Sequence, residues 1–150
     1  MPDSSSAAAR FGSLLSQAAR SWRRAADRRL LPFGLTDATW LPLLRVSRAG
    51  RPMRQKELAA SLGLDGSSIV RVLDALEAGG LLARREDPED RRAKALTLTP
   101  AGQAVVEQVE AVARQVREVA LADLPSEEVI RACALLERIC ERLDAEGEGV

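Results

Sequence analysis

The spacing of apolar residues changes abruptly at Gly79-Gly80, and this break restricts the possible folds more than any other feature of the chain. Ahead of it, Ile69, Val72, Leu73 and Leu76 recur at i, i+3, i+4 and i+7, which is one face of a helix. From Leu81 the period becomes two. Leu82-Ala83-Arg84-Arg85 reads as a strand, and in a second strand Leu96 and Leu98 alternate with Ala95, Thr97 and Thr99, the threonines facing outward. The intervening segment, Glu86 to Lys94 (EDPEDRRAK), is polar and rich in turn formers, so the two strands form a hairpin with a charged tip. Thr99-Pro100 then restarts a helix, with a hydroxyl for the cap and proline in the first turn.

Upstream the pattern is helical throughout. Phe11, Leu14, Leu15, Ala18, Trp22, Ala25 and Ala26 define a helix from about Arg10 to Leu30, broken by Pro32 and Gly34. Thr36 is placed to cap the next helix, which carries Trp40, Leu43, Leu44 and Val46; Pro42, one turn in, is awkward there. Arg48 to Pro52 reads as a loop. A short helix from about Arg54 to Leu62 turns Leu58, Ala59 and Leu62 inward and ends at Gly63, and Asp65, Ser67 and Ser68 offer caps for the helix of Ile69 to Leu76. Two short helices joined by a tight glycine-containing turn form a helix-turn-helix.

Downstream, Val105, Val109, Val112, Val116 and Val119 follow at steps of 4, 3, 4 and 3, a narrow seam like a coiled-coil edge. A last helix, capped by Ser126, carries Val129, Ala132, Cys133, Leu136, Ile139, Cys140 and Leu143 on one face, with Glu127 and Glu128 in its first turn. Residues 1–9, with one acid and no base, read as a flexible cytoplasmic tail rather than a secretory signal, and residues 146–150 as a frayed tail. No apolar run approaches the roughly 20 residues that span a bilayer.

Composition excludes several chemistries. The chain has no histidine and two cysteines, so no set of four N/S ligands for structural zinc and no histidine base exist. There is no glycine-rich phosphate loop, and the reading is not an enzyme. Cys133 and Cys140 are seven residues apart on one helix, roughly 10.5 Å of rise, too far to bridge each other. They read as small core residues, with an intersubunit redox contact as the alternative. The net charge is zero, but its distribution is not: Arg10 to Lys94 holds 17 basic and 10 acidic residues, Ala95 to Val150 5 basic and 11 acidic. A basic front half can meet phosphates while the acidic back half serves another purpose.

The order helix-turn-helix then charged hairpin points to double-stranded DNA. Early residues of a recognition helix reach base edges in the major groove. Here these are Ser67, Ser68, Val70 and Arg71, opposite Ile69, Leu73 and Leu76. Hydroxyls bond phosphates or bases, and arginine takes guanine O6 and N7 or a phosphate. The hairpin tip adds Arg91, Arg92 and Lys94, suited to a narrow minor groove, with Asp87 and Asp90 as orienting partners for the arginines. A module of interacting helices is the competing reading.

The segment SSIVRVLDALEAGGLLARREDPEDRRAKALTLTPAG, Ser67 to Gly102, resembles the MarR family of bacterial transcriptional regulators; DPEDRRAK followed by LTLTPAG carries the resemblance most specifically. RSWRRAADRRLLPFGLTDATW, Arg20 to Trp40, with its tryptophans around a Gly-Leu-Thr turn, resembles the SlyA-type subgroup, and with QKELAASLGL, Gln55 to Leu64, the likeness covers about residues 11–145. It implies a mainly α fold: a winged helix-turn-helix domain over 36–99, with a two-stranded hairpin wing, between an N-terminal dimerisation helix (10–35) and C-terminal dimerisation helices (100–145). It implies a homodimer, joined through 10–30 and 100–145, on a pseudo-palindromic operator, acting as a ligand-responsive repressor or anti-silencer. It matches Arg71 and Ser68 to recognition-helix contacts, Arg92 to the arginine entering the minor groove, and Arg91 and Asp90 to partners holding the wing tip. Asp74 matches a structural acid, pairing with Arg84 or Arg85, and Val70 departs from the polar residue of many relatives. No cofactor is implied beyond a small aromatic carboxylate effector. Trp22, Phe33, Trp40 and Met53 would line its pocket with Arg24, Arg28 or Arg45 as anion partner, unless the tryptophans merely fill the helix junction. A redox-responsive regulator using Cys133 or Cys140 is the alternative on the same fold, although family redox sensors carry their cysteine near the first helix, where this chain has none.

Overall fold

Helix α1 runs from Ser4 to Leu30 in the computed structural model, which describes residues 4–147. It therefore starts earlier than the apolar spacing suggests: Ser4 to Ala9, read as tail, are helical. The run Ala7-Ala8-Ala9 explains this, because alanine is the strongest helix former and needs no apolar stripe to propagate a turn. Residues 1–3 lie outside the described residues. The chain continues through a short 3-10 turn (Leu31–Phe33), α2 (Asp37–Arg48), β1 (Met53–Arg54), α3 (Gln55–Leu62), α4 (Gly66–Ala78), β2 (Leu82–Glu86), β3 (Lys94–Leu98), α5 (Pro100–Ala120) and α6 (Ser126–Gly147). Two compact units result, the first ending at Val116 and the second beginning at Arg117.

Local chemistry places most boundaries of the first unit. Thr36 has the extended backbone of an N-cap but makes no side-chain cap bond. Pro42 sits inside α2 and is buried with Trp40, Leu43, Leu44 and Val46. The turn between α3 and α4 depends on Gly63, whose φ of 65° is left-handed; its N–H bonds to the Ala60 carbonyl and that of Leu64 to Ala59. Asp65 caps α4, its Oδ1 accepting the Ser68 N–H at 2.7 Å and the Ser67 hydroxyl at 3.0 Å. These bonds to the ionised carboxylate hold its pKa below the ordinary value of 3.8.

The hairpin gains a third strand that the sequence pattern does not show. Met53 pairs with Leu96 and Arg54 with Ala95, so β3 lies between β1 and β2. Two residues are too few to display alternation. The consequence reaches Ala95, which lies buried although the alternation turns it outward. Leu82 and Leu96 join Leu58, Ile69, Leu73 and Leu76 and the α2 residues in one core. Burying each such side chain stabilises by roughly 1.5–3 kcal/mol.

Helix α5 is set against this core by Gly102. A Cβ there would lie 1.9 Å from the Leu81 carbonyl oxygen, so only glycine permits the approach. Thr99 clasps the same joint: its Oγ1 donates to the Gly80 carbonyl and accepts the Gly102 N–H at 3.1 Å. Because the Gly102 face points inward, the buried valines are Val106, Val109, Val112 and Val116, whereas Val105 is half-buried and Val119 is 66% exposed. The valine seam thus shifts by one residue at its start, and most of it packs within its own chain instead of forming a free coiled-coil edge.

In the second unit α6 reaches Gly147, so Glu146 and Gly147, expected to fray, are helical, while 148–150 lie outside the described residues. Val129 and Ile139 are half-buried and no residue of α6 is buried. Cys133 and Cys140 are exposed free thiols, which corrects their reading as core residues of this chain.

Candidate nucleic-acid interface

Helix α4 carries its apolar residues Ile69, Leu73 and Leu76 into the core, which leaves Ser67, Val70 and Arg71 exposed along the opposite side and Ser68 half-buried at the cap. The Ser67 hydroxyl proton is used by Asp65, so this oxygen offers lone pairs outward. The Arg71 side chain forms no ion pair among the described residues.

The wing is tied to this helix from below. Of the two partners expected for Asp74, the structure selects Arg84, whose guanidinium on β2 reaches Asp74 and, at 3.3 Å, Glu77 of α4. The Arg84 N–H also donates to Glu77 at 3.2 Å. Alternation along β2 puts Arg85 on the other face, away from these acids. The bonds from Arg84 lower the Glu77 pKa and raise that of Arg84.

At the wing tip the two aspartates do not grip the arginine side chains as expected. Asp90 Oδ1 accepts the backbone N–H of Arg92 at 3.0 Å, and its carbonyl accepts that of Ala93. Asp87 Oδ1 accepts the Glu89 N–H at 2.8 Å, while Oδ2 takes Arg54 Nε of β1 at 2.7 Å. Both acids shape the turn through its amides, since short aspartate side chains reach backbone two residues on more readily than a neighbouring guanidinium. The Glu89 amide first and the Arg54 guanidinium next hold Asp87 below the ordinary carboxylate range. Arg91, Arg92 and Lys94 are left exposed, and none forms an ion pair among the described residues. Arg54 is a support of the wing tip that sequence reasoning missed; it belongs to β1, the strand that no alternation announces, and its partner Asp87 lies 33 positions away.

The residues suggested for a ligand pocket separate into two kinds. Trp40 is buried and its indole N–H donates to Asp27 Oδ1 of α1 at 2.9 Å, so it fills the α1–α2 junction. Met53 is half-buried in β1 against the core. Trp22 and Phe33 are 41% and 58% exposed. Arg24 donates to Ser21 Oγ at 3.1 Å and lines, with Arg20 and Arg23, a hollow of about 270 Å3 on α1; Arg28 and Arg45 are exposed.

A helix-turn-helix whose second helix is locked to an arginine-tipped three-stranded wing defines a winged helix-turn-helix protein. The MarR-family model matches residues 33–93. The transcriptional regulator PA3341 is 41% identical, with 90% of this chain and 98% of that one covered and a TM-score of 0.84. CouR from Rhodococcus jostii RHA1, bound to p-coumaroyl-CoA, is 29% identical over 86% of this chain and 90% of its own, with a TM-score of 0.76. A mutant MarR from E. coli, complexed with operator DNA, is 26% identical over 86% of this chain and 92% of its own, with a TM-score of 0.73. The chain belongs to the MarR family of transcriptional regulators.

Proposed function

We propose that this chain is a homodimeric, sequence-specific DNA-binding regulator whose grip on its operator is set by a small ligand. The observation that carries the reading is the pairing of an exposed α4 edge, Ser67, Val70 and Arg71, with an exposed cationic wing tip, Arg91, Arg92 and Lys94, on elements joined by Arg84. The α4 edge reads the major groove and Arg92 the adjacent minor groove. Its work is binding and not catalysis, which fits a family of regulators. The operator-bound MarR relative supports the DNA partner. Two copies join through residues 10–30 and 100–145: α1 exposes Phe11, Leu14 and Leu15, and α6 exposes Leu136 and Leu143, apolar faces of the kind that mark association. The effector is a small aromatic carboxylate; the aromatic acyl group of the p-coumaroyl-CoA bound to CouR supports the aromatic part, and Arg20, Arg23 and Arg24 around a hollow on α1 support the anionic part. The tryptophans around Gly34-Leu35-Thr36 favour a SlyA-type member. Among the described residues no helix is long and apolar enough to cross a membrane, and the working place of such a regulator is the cytoplasm, on the nucleoid when DNA-bound.

Selection from a randomised duplex pool, followed by fluorescence anisotropy across a salt series, tests this. The selected site should bind at least ~10³-fold more tightly than scrambled duplex. Equal binding to every sequence would remove sequence-specific regulation, and no binding even at low salt would remove the DNA partner.

A further inference from the structure

Between the start of α3, the start of α4 and the wing lies an open cleft of about 750 Å3. Gln55 and Lys56 line it from α3, Gly66 from α4, and Asp90, Arg92 and Lys94 from the wing. Resting on the DNA-binding reading, its position has a geometric consequence. The α4 edge enters a major groove and Arg92 the adjacent minor groove, and in a duplex those grooves are divided by one sugar–phosphate strand. The surface between α4 and the wing therefore faces that strand, and the cleft is that surface.

Its charges suit a phosphate. Among the described residues Lys56, Arg92 and Lys94 form no ion pair. Arg54, also lining the cleft, is bound to Asp87. Of the nearby acids Glu57 pairs with Arg51 at 2.9 Å, and Asp90, whose Oδ1 accepts the Arg92 amide, keeps its charge as the one carboxylate among the cleft's lining residues, against Arg54, Lys56, Arg92 and Lys94. We propose that Lys56 on α3 and Lys94 on β3 clamp a backbone phosphate of the strand dividing the two grooves, with the Gln55 amide as a third donor. The sequence pattern marks neither Lys56 nor Gln55, because they stand outside both recognition helix and wing. A phosphate held there carries no sequence information and strengthens binding to any duplex alike.

The test is Lys56→Ala, measured by anisotropy on the selected site and on scrambled duplex from low to high salt. Lys56 is exposed and unpaired, so an unchanged melting temperature should accompany the substitution. Affinity should fall by the same factor on both duplexes, about fivefold near 0.15 M salt, and the slope of log affinity against log salt should shrink by about 0.9. Lys56→Arg should restore both. Unchanged affinity and slope, with the wild type still discriminating its site, would overturn the clamp and leave the DNA reading standing. A loss confined to the selected site would also overturn it, since Lys56 would then be reading bases. Failure of the wild type to bind any duplex would instead remove the reading on which the clamp rests.

Discussion

The winged segment and the two terminal helices carry apolar stripes of similar quality, yet their fates differ. In the winged segment Leu58, Ile69, Leu73, Leu76, Leu82 and Leu96 are all buried, and charged groups at its edges are tied by Arg84 and Arg54. In α1 only Ala26 and Leu30 are buried, and in α6 nothing is, although both present leucines at helical spacing. The stripe specifies which face leaves water, while burial needs a second surface, and among the described residues the early part of α1 and the whole of α6 keep their apolar residues largely exposed. A partner copy is the economical source of that second surface, so the winged segment should be stable through its own contacts and the terminal helices through association.

The strongest challenge to that division is at Gly102. Gly102→Val should destabilise the winged unit by about 3 kcal/mol or more, because the new side chain meets the Leu81 backbone, which cannot move aside like a flexible side chain. Thermal denaturation would show it, and a melting temperature close to the wild type would mean that the α5 joint is far softer than its geometry suggests. On the other side of the comparison, Leu136→Asp should weaken self-association about 30-fold or more while core substitutions leave it intact. Sedimentation equilibrium decides this, and an unaltered mass distribution would show that something other than a second copy covers α6.

Smaller effects sharpen the account of the winged unit. Arg92→Ala should cost roughly tenfold in affinity for the selected site, and Arg71→Ala should also relax base preference at one position of each half-site. Competition binding against single-base variants separates the two. Thr99→Val, which removes the hydroxyl shared by Gly80 and Gly102, should lower stability by about 1 kcal/mol in denaturant titration. The least effect concerns pH. Asp65 has its folded pKa depressed, so the stability it lends α4 is present above the ordinary aspartate value of 3.8 and is lost as pH falls through the lower folded value. Amide exchange at Ser68 should accelerate over that acid window relative to neighbouring helices, and in Asp65→Asn this pH dependence should vanish.

Much of this was legible in the residues. The break at Gly79-Gly80, the hairpin, the Asp65 cap, the Thr99 start of α5 and the exposed edge of α4 follow from local spacing and capping chemistry, which act within a few residues. The roles of Asp87 and Asp90 were half legible: their place in the turn was apparent, their partners were not. The bland reading of Trp40 as a junction filler agrees with its burial and its bond to Asp27, 13 positions away.

Sequence alone settles where α2 to α4 begin and end to within a residue or two, where α5 begins, and which face of α4 is left exposed, because periodicity, caps and glycine breaks are short-range. Tertiary structure settles the rest. It adds β1 to the hairpin, draws Arg54 to Asp87, and turns the Val106 face of α5 inward because Gly102 must press on Leu81. It also leaves Cys133 and Cys140 on the surface of α6. Each of these outcomes depends on which segments, distant in the chain, come to lie against one another, and a stripe or a lone charge specifies a preference for a partner without specifying which one.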